Sequence, residues 1–396
     1  MKACGLVVEY NPFHNGHAYH IEQAKKESHA EVMVAVMSGN FLQRGEPAIY
    51  NKWTRTNEAL KNGIDLVIEL PFAFATQSAD YFARGSIALL QALQVDSLCF
   101  GTDSKETVDY EQFARFHQEN KALIEARFQQ LKNNGMNYPQ QMTAVYRELC
   151  EGSFFDFSSP NHILGMAYAK ENQTYKTPMK LLPIKRQLAD FHEATLNSSS
   201  RIASASAIRN ELFKNSNHAQ LKKVVPAQTF LDICFEPKNS WNAYFSLLKY
   251  KLITSSHEEL ATIYQMTEGI EYRLKDKIKA SSDFESFVNS VKSKRFTHTR
   301  IQRLCTYILG NVTQAEINAV WAQPFIRILG FNQTGRSFLK ERKNDTPYPF
   351  ITNIAKANEK KAALDIKMGQ IYQLSQKMPL EQDYYRKPIF LDTANQ

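Results

Sequence analysis

Four short apolar runs separated by helical patterns set the first constraint on this chain. "KACGLVVEY" (Lys2–Tyr10), Glu31–Met37, Ile64–Leu70 and Val95–Gly101 have the β-branched content of buried strands. Between them, the spacing of Tyr19, Ile21 and Ala24, then "YNKWTRTNEALKNG" closed by Gly63, then "SADYFARGSIALLQAL", predicts helices. Strands alternating with helices in this way predict an α/β fold with a parallel sheet and right-handed crossovers.

A helical insert is expected over about 105–155, broken at "NNGMNYPQ", followed by a short helix from Pro160. Met179–Arg186 reads as a fifth strand, and "SASAIRNELF" as a loop running into a helix. Beyond Val224 strands become hard to find and amphipathic helices dominate. One is "HEELATIYQM" and another is "FESFVNSVKSKRFTHTRIQRLCTYIL". The expected division is therefore an α/β domain over 1–223 and a mainly α-helical domain over 224–396. With 396 residues and 43% hydrophobic content, the chain is long enough for two such cores.

The first strand runs into "NPFHNGH", where Pro12 stops it and a helix starts near Gly16. A strand turning directly into a helix leaves free N–H groups and a positive dipole end, which is a place for phosphate. His14 and His17, three residues apart, fall on one side of that helix start. They would stabilise charge on a phosphoryl oxygen, or else form only a surface pair. "SASAIR" offers the hydroxyls of Ser204 and Ser206 and the guanidinium of Arg209; a serine-rich helix cap looks the same. Neither a GxxxxGK[ST] loop nor a GxGxxG run occurs, which removes support for P-loop and dinucleotide chemistry.

The five cysteines (Cys4, Cys99, Cys150, Cys234, Cys305) are scattered, with no CxxC spacing, and no metal-ligand cluster stands out. No run suggests a membrane span, and the start of the sequence reads as a strand rather than a signal peptide, so a cytoplasmic protein without a membrane partner is expected. The formal net charge of +8 favours an anionic partner such as nucleic acid, although a merely basic enzyme has the same balance.

The blocks "GLVVEYNPFHNGHAYHI", "VMSGNFLQRGEPAIYNKWTR" and "GIDLVIELPF" resemble the bacterial tRNA-Met cytidine acetate ligase family of the HIGH nucleotidyl-transferase superfamily. The resemblance implies a HUP/Rossmann-like parallel-sheet nucleotidyl-transferase domain. It implies an enzyme, an ATP-dependent ligase, that converts acetate to acetyl-adenylate and then acetylates N4 of the wobble cytidine of elongator tRNA-Met. ATP is then a substrate, with Mg2+ carried on its phosphates.

Position by position, the resemblance implies that the loop Val7, Val8, Glu9, Tyr10, Asn11, Pro12, Phe13, His14, Asn15, Gly16, His17, Ala18, Tyr19 and His20 wraps ATP. His14 and His17 would be the catalytic pair on its phosphates. Gly101, Asn161 and Arg186 would complete the nucleotide contacts, with Ser204, Ser206 and Arg209 on the phosphates. From the residues alone, Gly101 is equally a turn, Asn161 a helix start and Arg186 a surface charge. Two departures stand out: "GTDS" follows the fourth strand where Gly-Ser-Glu is expected, and Ala205 replaces a hydroxyl.

Arg44, Glu46, Lys52 and Trp53 follow the second strand and are expected to face the site or fold over it, with Arg44 or Lys52 meeting phosphate or RNA; a structural role fits Glu46 and Trp53 equally well. Asp80 and Arg84 are ambiguous between ion pairing and catalysis. For RNA, Lys292, Lys294, Arg295, His298, Arg300 and Arg303 surround Phe296, and Arg336, Lys340, Arg342 and Lys343 form a second run. Basic residues around an aromatic suit phosphate contact and base stacking, but a solvated helix face has the same composition. Two rival functions fit the same motifs: an adenylyltransferase acting on a phosphorylated metabolite, and a non-catalytic RNA- or ribosome-associated protein.

Overall fold

A computed structural model describes residues 1–103, 108–131, 136, 138–149, 159–186, 200–214, 218–375 and 381–392. The alternation opens with β1 (Ala3–Val8), α1 (Asn15–Ser28), β2 (Val32–Ser38), α2 (Lys52–Lys61) and β3 (Leu66–Leu70). It continues with the one-turn α3 (Phe72–Ala75), α4 (Ala79–Ala92) and β4 (Ser97–Thr102). Each strand lies within a residue or two of its expected place.

Within the expected insert come α5 (Tyr110–Glu119), α6 (Lys121–Gln130) and α7 (Tyr138–Leu149), followed by α8 (Pro160–Asn172), β5 (Lys180–Lys185) and α9 (Ala205–Lys214). Half of "NNGMNYPQ" and the end of the insert lie outside the described residues.

The five strands pair in parallel in the order β5-β4-β1-β2-β3. The strand order therefore reverses at β1, which sits between β2 and β4. In open parallel sheets, ligands bind at the carboxyl ends of the strands beside that switch point. Alternate residues of the strands feed two cores. Leu6, Val8, Met33, Ala35 and Met37 pack under α1 and α2. Val32, Val34, Val36, Leu66 and Ile68 pack under α4 and α8, in a core that runs on into the helices of the second half.

Those helices are α10 (Ala227–Phe235), α11 (Phe245–Thr254), α12 (His257–Ala261), α13 (Ile270–Ala280), α14 (Phe284–Val291), α15 (His298–Leu309) and α16 (Gln314–Ala322). The single helix expected from Phe284 to Leu309 is two. The first ends at Val291, where the Lys292 backbone leaves the helical conformation, and Thr297 starts the second, its hydroxyl capping α15 by accepting the Arg300 N–H at 3.3 Å. Lys292, Lys294 and Arg295 thus lie in a loop, not on a helix face. "HEELATIYQM" is also helical only over α12.

The last part of the chain departs further from the helical expectation. β6 (Ile326–Asn332) adds antiparallel to β3, followed by α17 (Gln333–Arg342), β7 (Phe350–Ile351), α18 (Ala363–Gln373) and β8 (Ile389–Leu391). Both β7 and β8 pair with β6, so the second half extends the sheet of the first.

A buried charge cluster ties this return together. Lys52 Nζ lies 2.8 Å from Glu69 Oε2 and 2.6 Å from Asp383 Oδ1, with all three side chains buried. Burial of such a triad is tolerable only because the one ammonium faces both carboxylates, with the positive charge of Arg327 acting on Glu69 as well. The expectation that Lys52 meets phosphate or RNA is corrected here, since its ammonium is enclosed. Trp53 is likewise enclosed and donates its Nε1–H to the Gln382 carbonyl.

Candidate functional site

The loop after β1 is pinned before it reaches the histidines. Arg55 on α2 is fully buried and donates to the carbonyls of Glu9 (2.6 Å), Ser38 (3.0 Å), Tyr50 (3.0 Å) and Gly39. One guanidinium thereby holds the carboxyl ends of β1 and β2 together. Asn11 Oδ1 accepts the Ile49 N–H at 2.7 Å, and Phe13 packs against Tyr10 in the core. The Asn11–Pro12 peptide is cis.

His14 and His17 then cap α1 reciprocally. His14 Nδ1 accepts the Gly16 N–H at 3.1 Å, and His17 Nδ1 accepts the His14 N–H at 3.2 Å. The rings stack with centroids 3.7 Å apart. A Cβ at Gly16 would lie 2.9 Å from His14 Cε1, so only glycine leaves room for the ring. The N–H of Asn15 goes to the Val224 carbonyl and that of His17 to the His14 carbonyl.

The free N–H groups expected at this turn are therefore not there, because the cap and Val224 take them. The imidazoles replace them. A neutral ring whose Nδ1 accepts carries its proton on Nε2, so each histidine presents one N–H donor on its far edge. The Asn15 side chain is turned away, donating to the carbonyls of Arg201 and Lys223 at 2.9 Å each.

Burial holds these rings neutral. It pushes the His14 imidazolium down to about 3, helped by the positive charges of Arg186 and Arg209. His17 is also held well below its ordinary range, by burial first and then by its histidine neighbours and Arg186. His20, whose Nε2 lies 3.4 Å from Cys99 Sγ, is pushed down to about 4 by burial and Arg186.

Both catalytic candidates line a cleft of about 1500 Å3 at the switch point. Around it lie Val7, Val8, Glu9, Tyr10, Asn11, Gly16, Tyr19, His20, Gly101, Asn161, Arg186, Ser204, Ser206 and Arg209. Pro12, Phe13, Asn15 and Ala18 shape the loop from behind.

Asp103, which in the sequence stands out only as a departure from the family pattern, organises the far end. Its Oδ2 accepts from Ser159 Oγ at 2.7 Å and Asn161 Nδ2 at 2.6 Å, and its Oδ1 lies 3.6 Å from Arg186 Nη1. Gly101 lets the Arg186 stem cross, since a Cβ there would lie 3.2 Å from Arg186 Cγ. Ser204 is a helix cap, accepting the Ala207 N–H at 3.0 Å. Arg209 donates to the Asn11 carbonyl at 2.8 Å and to Ser206 Oγ at 3.4 Å.

The same cleft gathers Arg44 and Glu46, expected to face the site, and residues of the basic run expected to meet RNA. Arg44, Glu46, Asp80, Lys294, Arg295, Arg300 and Arg303 all line it. Arg300 stacks over Phe296 with its guanidinium carbon 4.2 Å from the ring centre, and Glu268 pairs with Arg295 (3.3 Å) and Arg300 (3.8 Å). Lys292 is exposed outside the cleft, and Arg84 sits over Trp321 instead of facing it. Arg336, Lys340, Arg342 and Lys343 lie on or just after α17, and none lines the cleft.

A family model described as HIGH Nucleotidyl Transferase matches residues 1–387. The chain is similar to the tRNA(Met) cytidine acetate ligase of Halalkalibacterium halodurans, 40% identical over 409 residues and covering 99% of this chain and 98% of that one. It is 41% identical to the protein of that name from Leuconostoc mesenteroides, covering 98% and 99% of the two chains. Among solved structures, Thermotoga maritima TmcAL superposes with a TM-score of 0.90 at 28% identity, covering 99% of this chain and all of that one. A second form of that protein, bound with alpha-thio ATP, gives a TM-score of 0.89.

The neutral imidazoles give a sign to the acid dependence of stability. Below the ordinary value of 6.5 the unfolded chain takes up protons that the folded rings refuse, so stability falls as pH drops. Replacing His20 by Gln removes one such group. Unfolding free energies from urea titrations between about pH 6.5 and pH 4.5 should then decline less steeply, by up to ~1.4 kcal/mol per pH unit. An unchanged slope would mean that His20 is not held neutral.

Proposed function

The chain belongs to the HIGH nucleotidyl transferase family and, within it, to the tRNA(Met) cytidine acetate ligases, and on that premise we propose its reaction. It activates acetate with ATP and acetylates N4 of the wobble cytidine of elongator tRNA-Met. What carries this reading is one cleft lined both by the His14–His17 pair and by the basic residues of the second half.

In the first step an acetate oxygen attacks the α-phosphorus of ATP and pyrophosphate leaves. The Nε2–H groups of His14 and His17 donate to phosphoryl oxygens as charge builds there. They act as fixed neutral donors rather than cations, and such preorganised donors need no covalent nucleophile. Arg186 and Arg209, on either side, offset the charge of the triphosphate. Mg2+ would travel on the nucleotide phosphates; among the described residues no three His, Cys, Asp or Glu side chains converge on one point.

In the second step the cytidine amine attacks the acetyl carbonyl of the bound adenylate, and AMP leaves. The base must leave its stack to reach the cleft, at a cost of a few kcal/mol. Lys294 and Arg295, in the loop between α14 and α15, suit the phosphates beside it. Arg300, paired with Glu268 and stacked on Phe296, suits a positioning role. The division of labour between residues 1–223 and 224–396 is thus nucleotide chemistry on one wall and tRNA on the other.

ATP–pyrophosphate exchange tests the first step. Acetate should support it without acetyl-coenzyme A, and a phosphorylated metabolite should not. His17→Ala should reduce exchange by about 100-fold, as for loss of an oxyanion donor. Exchange that depends on a phosphorylated metabolite would favour the adenylyltransferase alternative, and no exchange at all the non-catalytic one.

A salt series tests the tRNA wall. Replacing Lys294 and Arg295 with Ala should weaken tRNA binding. The slope of log affinity against log salt should become shallower by roughly one unit for each phosphate that these side chains neutralise. Unaltered affinity and slope would remove this loop from the tRNA surface.

A further inference from the structure

Four carboxylates line the cleft among the described residues: Glu9, Glu46, Asp80 and Glu268. Three are matched by cations. Glu46 lies 3.8 Å from Arg209, Asp80 2.8 Å from Lys170, and Glu268 3.3 Å from Arg295. Glu9 has no ion pair among the described residues. Its Oε1 accepts the Gln43 N–H at 2.7 Å, which orients the carboxyl, and no hydrogen bond from a described residue occupies Oε2. Arg55, the cation behind it, directs its guanidinium to backbone carbonyls, including that of Glu9 itself.

The transfer step needs a proton acceptor. The lone pair of an aryl-type amine is delocalised into its ring, so attack on a carbonyl builds positive charge on nitrogen unless a base removes a proton. His14 and His17 do not supply one, since Nδ1 is occupied and Nε2 carries a proton. His20 is turned toward Cys99. Burial first, with the negative charge of Glu46, raises the Glu9 carboxyl above the usual range, against the Gln43 hydrogen bond and the positive charges of Arg44 and Arg55.

We propose, resting on the ligase reading, that Glu9 is the general base of acetyl transfer, its open Oε2 taking the proton from the N4 amine of the target cytidine. The N4 lone pair forms the C–N bond to the acetyl carbon as the carbonyl electrons move onto oxygen. Those electrons return as the bond from the acetyl carbon to the AMP oxygen breaks, and AMP leaves with that pair. The N4 proton passes to Glu9 Oε2 and from there to solvent. Acetyl-adenylate and cytidine thus give acetylcytidine, AMP and a proton. Adenylate formation from a carboxylate has no proton to remove, so a base is needed only in the second half-reaction, and the loss of the Glu9 carboxylate should weigh more on transfer than on activation, in which Glu9 is one residue of the ATP loop.

The test compares the two half-reactions on one protein, with an unmodified tRNA-Met transcript, labelled acetate and ATP in single turnover, beside pyrophosphate exchange. Glu9→Gln should lower the ratio of transfer to exchange by about 100-fold or more. Wild-type transfer should rise with pH through one ionisation, and Glu9→Asp should keep that rising limb at a reduced rate. Equal loss of both half-reactions in Glu9→Gln, or transfer at the wild-type ratio, would overturn the assignment. Should Glu9→Gln not fold, wild-type transfer flat between about pH 5 and pH 8 would overturn it, and a rising limb shared with Glu9→Asp would support it. Absence of acetate-dependent exchange in the wild type is a separate outcome, which rejects the ligase reading itself.

Discussion

The reciprocal cap between His14 and His17 is the constraint on which the site depends. Each ring accepts one backbone N–H at Nδ1, which satisfies the start of α1 and at once fixes where the ring proton sits. Most helix starts that meet phosphate offer backbone amides. Here those amides are occupied, and the donors are moved outward by the width of an imidazole. The arrangement demands a glycine at position 16, a buried floor of Tyr10 and Phe13, and a chain that leaves β1 at a fixed angle. Arg55 supplies the last by gathering the carbonyls at the ends of β1 and β2.

The second half of the chain completes this site from outside. β6 adds to the sheet at β3, and the Lys52–Glu69–Asp383 cluster locks the final segment against the start of α2 and the end of β3. With the sheet extended, the helices between Ala227 and Ala322 sit where the loop from Lys292 to Thr297 reaches the cleft. Gly45 marks how close the approach is, since a Cβ there would fall 2.6 Å from the Arg303 backbone. The histidine pair and the basic residues of the second half therefore line one cleft.

Much of this is legible in the sequence, for physical reasons. β1 to β4 announce themselves because strands buried on both faces are largely apolar, and the histidine pair because it follows the first of them, while the edge strand β5 is legible only from its short apolar centre between lysines. β6 does not: "IRILGFN" carries the buried Arg327 in its second position and stands alone among helices. Lys52 looks like a surface cation because its partners lie 17 and 331 residues away. The roles of Asp103 and of the Glu9 carboxyl have no local signature. What marks them is which groups they are bonded to, or left without, and that is set by tertiary contacts alone.

The central claim is that two neutral imidazoles, protonated on Nε2, face the cleft. Nitrogen-15 NMR of the histidine side chains in the unliganded protein reads this directly, through the shifts of both ring nitrogens and their couplings to the carbon-bound protons. The account predicts that at about pH 6 both His14 and His17 are neutral with the proton on Nε2, while an ordinary exposed histidine is largely protonated. An imidazolium at either position, or a proton on Nδ1, would contradict it.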